Sequence, residues 1–83
     1  MEVILQPSAK KELDRLSGKL GLRIALAIKN LQKEPFPVHS KKLQGWNGHY
    51  RLRVGDYRVV YFWDKENKNI LITKIKHRRE VYK

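Results

Sequence analysis

The residues of this chain best suited to chemistry are three arginines, Arg51, Arg53 and Arg58, and a tail reading His77-Arg78-Arg79-Glu80-Val81-Tyr82. A guanidinium matches phosphate geometry with paired donors and stays charged at physiological pH, so fixed arginines suit the stabilisation of phosphoryl oxygens. They carry protons badly for the same reason. Proton transfer would fall to His77, His49, a lysine such as Lys76, Tyr82, or a group outside the protein. RNA is a fitting substrate because its ribose 2′-hydroxyl is a built-in nucleophile that needs only orientation and charge stabilisation. Other routes are poorly served. The eight acids form no convincing cluster, and Asp64 and Glu66 share a turn where polar residues are expected, so metal-dependent phosphodiester chemistry lacks ligands. Cysteine is absent, and Ser8, Ser17 and Ser40 each have a turn or cap explanation.

The arginines need a scaffold that aims them together. From Tyr50 to Trp63 two alternating runs flank Gly55-Asp56, the pattern of a β-hairpin whose two-residue loop takes its positive φ from Gly55. Such a loop sets Val54 against Tyr57, Arg53 against Arg58, Leu52 against Val59 and Arg51 against Val60. Side chains alternate across a strand, so Tyr50, Leu52, Val54, Tyr57, Val59 and Tyr61 share one face. Arg51, Arg53 and Arg58 share the other. Like charges directly opposite each other weaken a hairpin. Alternating charge is commonly just the solvated side of a half-buried sheet; three of one sign, with no acid among them, favour an anionic ligand instead.

The rest of the chain reads as support. Met1–Gln6 is β-rich and forms a first strand, Pro7 ends it, and Ser8 is placed to cap a helix opening at Ala9. Ala9, Leu13 and Leu16 recur at helical spacing until Ser17-Gly18 stops the run. A second helix runs from about Lys19 to Lys33, with Leu20, Ile24, Ala27, Ile28 and Leu31 as its apolar stripe and Gly21 weakening its first turn. Pro35 and Pro37 force an extended connector. Val38–Asn47 is a loop carrying His39, Lys41, Lys42 and Trp46. Asp64–Asn69 is a polar turn, and Ile70–Lys76 a last strand. The order β-α-α-β-β-β predicts an α+β fold over a single domain, 1–83, with a two-helix hairpin packed on a small, mostly antiparallel twisted sheet. Trp46 and Trp63 read as core or loop anchors. Tyr82 is divided evenly between packing and stacking on a nucleobase.

Bulk charge agrees with the site. Nineteen Lys and Arg against eight Asp and Glu give a net charge of +11 over 83 residues, with a pI near 10.2. That excess argues for nucleic acid, a ribonucleoprotein surface or an acidic protein partner. No apolar run approaches the ~18 residues of a membrane span, and no signal-peptide pattern opens the chain. A cytoplasmic protein without cofactor or metal is the expectation.

Taken together, these residues resemble the RelE family, within the RelE/ParE superfamily of bacterial and archaeal toxins from toxin–antitoxin pairs. The resemblance covers essentially the whole chain. It rests on Lys42-Leu43-Gln44-Gly45, on Tyr50-Arg51-Leu52-Arg53 with Gly55-Asp56-Tyr57-Arg58-Val59-Val60-Tyr61, and on His77-Arg78-Arg79-Glu80-Val81-Tyr82. It implies an endoribonuclease that enters the ribosomal A site and cuts mRNA there without a metal. It also implies a cognate, RelB-like antitoxin that covers or distorts the basic face. Carried over from the family, Arg51, Arg53, Arg58, Arg78 and Tyr82 form the active site. Arg58 and Arg78 hold and neutralise the scissile phosphate, and Tyr82 stacks on a base. The best-studied members have lysines where this chain has Arg51 and Arg53, which leaves His77 and Lys76 as candidates for proton transfer. Lys41, Lys42 and Arg79 are candidates for contact with RNA or the ribosome. Two alternatives stand beside this reading. ParE-like relatives share the fold but poison DNA gyrase, and generally lack the clustered basic residues and terminal tyrosine. A plain basic RNA- or ribosome-binding module would leave RNA intact.

Overall fold

Helical and alternating apolar spacing divide the chain into the elements seen in the computed structural model, which describes residues 1–82. Strand β1 (Glu2–Leu5) leads into helices α1 (Pro7–Arg15) and α2 (Gly18–Asn30), and then into β2 (Ser40–Lys42), β3 (His49–Val54), β4 (Tyr57–Asp64) and β5 (Asn69–His77). The sheet order is β1-β5-β4-β3-β2, with β1 parallel to β5 and every other neighbour antiparallel. The hairpin has the expected register: Val54 opposes Tyr57, Arg53 opposes Arg58, Leu52 opposes Val59 and Arg51 opposes Val60. Gly55 alone in the loop has positive φ, at 59°, as a type II′ turn requires of its first position.

Three local expectations are corrected. Pro7 opens α1 instead of merely ending β1, and Gln6 stands at the N-cap without a side-chain hydrogen bond, so Ser8 caps nothing. Proline is well suited to the first helical turn, whose amide would be unpaired anyway. Helix α2 ends at Asn30, and residues 31–33 form a turn. Ser40–Lys42, read as loop, is a short edge strand paired with Leu52, Arg51 and Tyr50. Gly21 has a reason beyond weakening the helix: a Cβ there would lie 2.6 Å from the Leu16 carbonyl oxygen. Only glycine lets α2 start so close to the end of α1.

One face of the sheet carries the core. Ala9, Ile24 and Ile28 from the helices and Leu31 just beyond α2 pack on Leu52, Val54, Val59, Tyr61, Ile70, Ile72 and Ile75. Full burial of such an aliphatic side chain contributes about 1.5–3 kcal/mol. Trp63 packs against this cluster, edge-on to Phe36 at 4.8 Å, as an anchor should. The Tyr61 hydroxyl donates to the Pro35 carbonyl at 2.6 Å, which ties the connector after α2 to the middle of β4. Burial pushes that phenol up to about 12. No helix among the described residues is long and apolar enough to cross a membrane.

Candidate active site

The opposite face of the sheet has no helix on it. Arg51, Arg53 and Arg58 project there because they alternate with the core residues of β3 and β4. Val60 shares that side and is nevertheless completely buried. Two segments meet on this side of the sheet, the loop before β3 and the C-terminal tail. Trp46 of the loop stands edge-on to Tyr82 of the tail, ring centroids 6.5 Å apart. Val81, 1% exposed, anchors the tail and leaves Tyr82 half exposed beside the arginines.

The tail is aimed by the hairpin. The Arg78 amide donates to the Asp56 carbonyl at 2.8 Å, so the strand pairing of β5 with β4 continues to the loop. The amides of Glu80 and Val81 then both donate to the His77 carbonyl and turn the chain back. At the loop itself, the Arg58 guanidinium folds onto the backbone and donates to the carbonyls of Gly55 and Tyr57 at 3.1 and 3.0 Å. These local bonds hold it in place without neutralising it. The pKa of Arg58 is lowered, first by its partial burial and then by the like charges of Arg51, Arg53 and Arg78, with Tyr82 acting in the opposite sense. All five residues expected at the site therefore gather within electrostatic reach of one guanidinium. Three cations around a fourth that is partly desolvated produce a strongly positive local potential, which attracts anions of high charge density.

An open cleft of about 860 Å³ wraps the tip of the hairpin and is lined by Arg53, Arg58 and Arg78, with Arg23 and Asn30 of α2 on its far wall. A smaller hollow of about 210 Å³ continues past Arg51 and Lys41, and Arg53 and His39 border both. Arg51 lines only this second hollow. Two acids, Glu34 and Asp56, line the same cleft, and the Asp56 carboxylate lies 3.9 Å from Arg78 in an exposed pair. Such a contact is too weak and too wet to quench the charge.

Lys76 stands directly opposite Arg58 across β4 and β5, but neither its amine nor His77 is turned to the cluster. His77 faces the helix side, edge-on to Tyr57 at 5.6 Å, and its Nδ1 accepts the Arg79 amide at 3.2 Å. The Lys76 amine is paired with Glu12 of α1 at 2.7 Å. Glu12 also accepts the Ile75 amide at 3.4 Å, so one carboxylate serves the free edge of β5 and its lysine together. Lys41 and Lys42 lie exposed on the edge strand β2, and Arg79 is exposed in the tail. Among the described residues, no three His, Asp or Glu side chains gather as metal ligands.

Sequence reasoning passed over two residues and gave a third a purely structural part. Arg23, buried in the pattern of an amphipathic helix, reaches the hairpin so closely that a Cβ on Gly55 would lie 3.4 Å from its guanidinium. Lys74, an unremarkable strand lysine, places its amine 5.2 Å from the centre of the Trp46 ring. Trp46, expected to be an anchor, is 39% exposed. Strand alternation could have placed Lys74 on the arginine face, but a β-bulge between Val60 and Tyr61 shifts the β5 register there and spoils the count.

Known proteins resemble this chain in sequence and in fold. Residues 3–82 match the family model described as the ParE toxin of type II toxin–antitoxin system, parDE. The chain is 28% identical to toxin RelE3 of Methanocaldococcus jannaschii over 99% of its length and 96% of that protein's. It is 27% identical to toxin RelG of Mycobacterium tuberculosis, over 92% of this chain and 88% of that one. Among solved structures, the archaeal RelE–RelB complex from Pyrococcus horikoshii superposes with a TM-score of 0.82 at 32% identity, covering 96% of this chain and 97% of that one. The RelB–RelE complex from Methanococcus jannaschii gives 0.78 at 26% identity, covering 95% and 94%.

Proposed function

This chain belongs to the RelE family of type II toxin–antitoxin toxins, within the wider group that the ParE model describes, and we propose that it is a ribosome-dependent endoribonuclease cutting mRNA in the A site. The observation that carries the reading is the cleft that Arg53, Arg58 and Arg78 line together, with Arg51 and Tyr82 near enough to act on the charge of Arg58. The 2′-hydroxyl of one nucleotide attacks the adjacent phosphorus. A 2′-O–P bond forms, the P–O5′ bond breaks, and the products are a 2′,3′-cyclic phosphate and a 5′-hydroxyl. Arg58 and Arg78 hold the phosphate and stabilise the charge that builds on its oxygens. Arg58 stays protonated at neutral pH despite its lowered pKa, so its role is electrostatic. Tyr82 stacks on a base and orients the hydroxyl for in-line attack. With Lys76 held by Glu12 and His77 turned to the other face, the 2′-hydroxyl proton passes to a group supplied by the ribosome or solvent, and the departing 5′-oxygen takes a proton from the same source. That dependence gives a physical reason for the enzyme to act in the A site, and with it we propose a cytoplasmic location.

A cognate RelB-like antitoxin neutralises the toxin in this reading, since two of the similar archaeal structures are RelE bound to RelB. The +11 charge would steer an acidic partner quickly to the arginine face.

Primer extension on mRNA translated in the presence of the protein tests the proposal, with gyrase supercoiling assayed in parallel. Discrete breaks within A-site codons, absent from untranslated message, are the expected result. Intact message together with loss of supercoiling would instead establish the gyrase-directed alternative.

A further inference from the structure

Beside the arginine cluster the same face carries a line of aromatic rings, of which the chemistry above uses only Tyr82. Tyr82 meets Trp46 edge-on at 6.5 Å, Trp46 meets His49 edge-on at 5.8 Å, and His49 lies at 5.2 Å from Phe62. Trp46 is 39% exposed and Tyr82 53%, in a protein where Tyr61 and the aliphatic core are fully buried. The Lys74 amine stands 5.2 Å from the Trp46 ring centre. Lys42 borders the hollow of about 490 Å³ that Trp46 lines. Exposed aromatics alternating with cations, next to a phosphate site, are what a single-stranded nucleic acid uses: bases stack on rings while the backbone follows the positive charge.

We infer that Trp46 is a second base-stacking platform, which receives an unpaired nucleobase of single-stranded RNA flanking the dinucleotide held at Arg58 and Tyr82. The edge-on arrangement of Trp46 and Tyr82 is suited to this. Two parallel rings would take one base between them, whereas perpendicular rings present separate surfaces to two successive bases as the strand turns. Lys74 gives the site its phosphate contact and polarises the indole. The Trp46 loop hangs from β3 by the bonds from the Leu43 amide to His49 and from the His49 amide to Trp46, 2.9 and 3.0 Å, so the platform is fixed to the sheet. This inference extends the nuclease reading but is tested apart from it.

The probe is a short unstructured RNA with 2′-O-methyl riboses, which cannot be cut, carrying 2-aminopurine at successive positions. Wild-type protein should quench the fluorophore at two positions, one assigned to Tyr82 and one to Trp46. Trp46→Ala should abolish quenching at the second position only and weaken binding about tenfold, the scale of one lost base–aromatic stack. Trp46→Phe should restore most of both. Trp46→Ala should leave the salt dependence of binding unchanged, whereas Lys74→Ala should lower its slope by the loss of about one phosphate contact. Circular dichroism and Tm of each variant, matching the wild type, exclude unfolding as the cause. The inference is overturned if wild-type protein quenches at no more than one position, or if Trp46→Ala binds and quenches like the wild type. Cleavage of translated mRNA alongside either result leaves the nuclease reading standing, and its absence alongside the expected quenching removes that reading alone.

Discussion

The two faces of strands β3 and β4 are built from alternate residues of the same fourteen-residue stretch, yet they obey opposite rules. On the helix side, Leu52, Val54, Val59 and Tyr61 are buried in one apolar cluster. On the other side Arg53 is set directly against Arg58, and Arg51 and Arg78 add to the repulsion that Arg58 feels. The first arrangement is what folding rewards. The second opposes folding, since like charges face each other across a ladder with no acid between them. The lesson is that stability and chemistry are separable here by strand parity, and substitutions on the two faces should dissociate cleanly.

The sharpest dissociation is expected at Arg58. Arg58→Ala should lower the rate of cleavage of translated mRNA by about 10²–10³-fold, the scale for losing one preorganised donor to a developing anion. Tm should stay within a few degrees of the wild type, because the side chain's bonds to Gly55 and Tyr57 are local and solvent can replace them. A variant that keeps full cleavage would break the division between the faces, as would one that unfolds.

The hairpin was legible from residues alone because a two-residue loop leaves only one register for its strands, and alternation then assigns every face. The shared face of Arg51, Arg53 and Arg58 followed from that. The helix start was misjudged because Ser8 fits a cap by type, while Pro7 fits the first helical turn by geometry and takes the position. Ser40–Lys42 has neither β-branched residues nor apolar alternation; it is a strand only because the outer edge of β3 offers it hydrogen bonds. The tail is a different case. Its folding back depends on Val81 finding cover and on the Arg78 amide reaching Asp56, both long-range events that no local pattern announces. The meeting of Trp46 with Tyr82 and Lys74 has the same origin, as does the diversion of Lys76 to Glu12.

The inner face can be probed at Tyr61, where the converse result is expected. Tyr61→Phe keeps the ring and removes the bond to Pro35, which should cost about 1 kcal/mol, or a fall of about 4–8 °C in Tm, with cleavage per folded molecule unchanged. Its pH dependence has a definite sign. The folded phenol titrates at about 12, above the ~10 of an unfolded tyrosine, so the native state favours the protonated form. That contribution is complete below about pH 10 and is lost as pH rises towards 12. Chemical denaturation across that range should show the wild type losing its advantage over Tyr61→Phe. A gap that stays constant would mean the hydroxyl does not titrate in a buried setting.

The smallest effect, and the most telling for the comparison, belongs to Arg53. If the arginine face opposes folding, neutralising the residue opposite Arg58 should stabilise the protein. Arg53→Gln should gain about 0.5 kcal/mol, a rise of about 2–4 °C in Tm. Arg53→Lys, which keeps the charge, should gain nothing. The gain should shrink in about 1 M salt, where the screening length falls to about 3 Å. Cleavage should fall in the same Arg53→Gln variant, since Arg53 lines the cleft with Arg58 and Arg78. A gain in stability paired with a loss of activity at one exposed position has few explanations other than a charge cluster kept for its ligand. A loss of both would assign Arg53 a structural part and return the face to ordinary solvated surface.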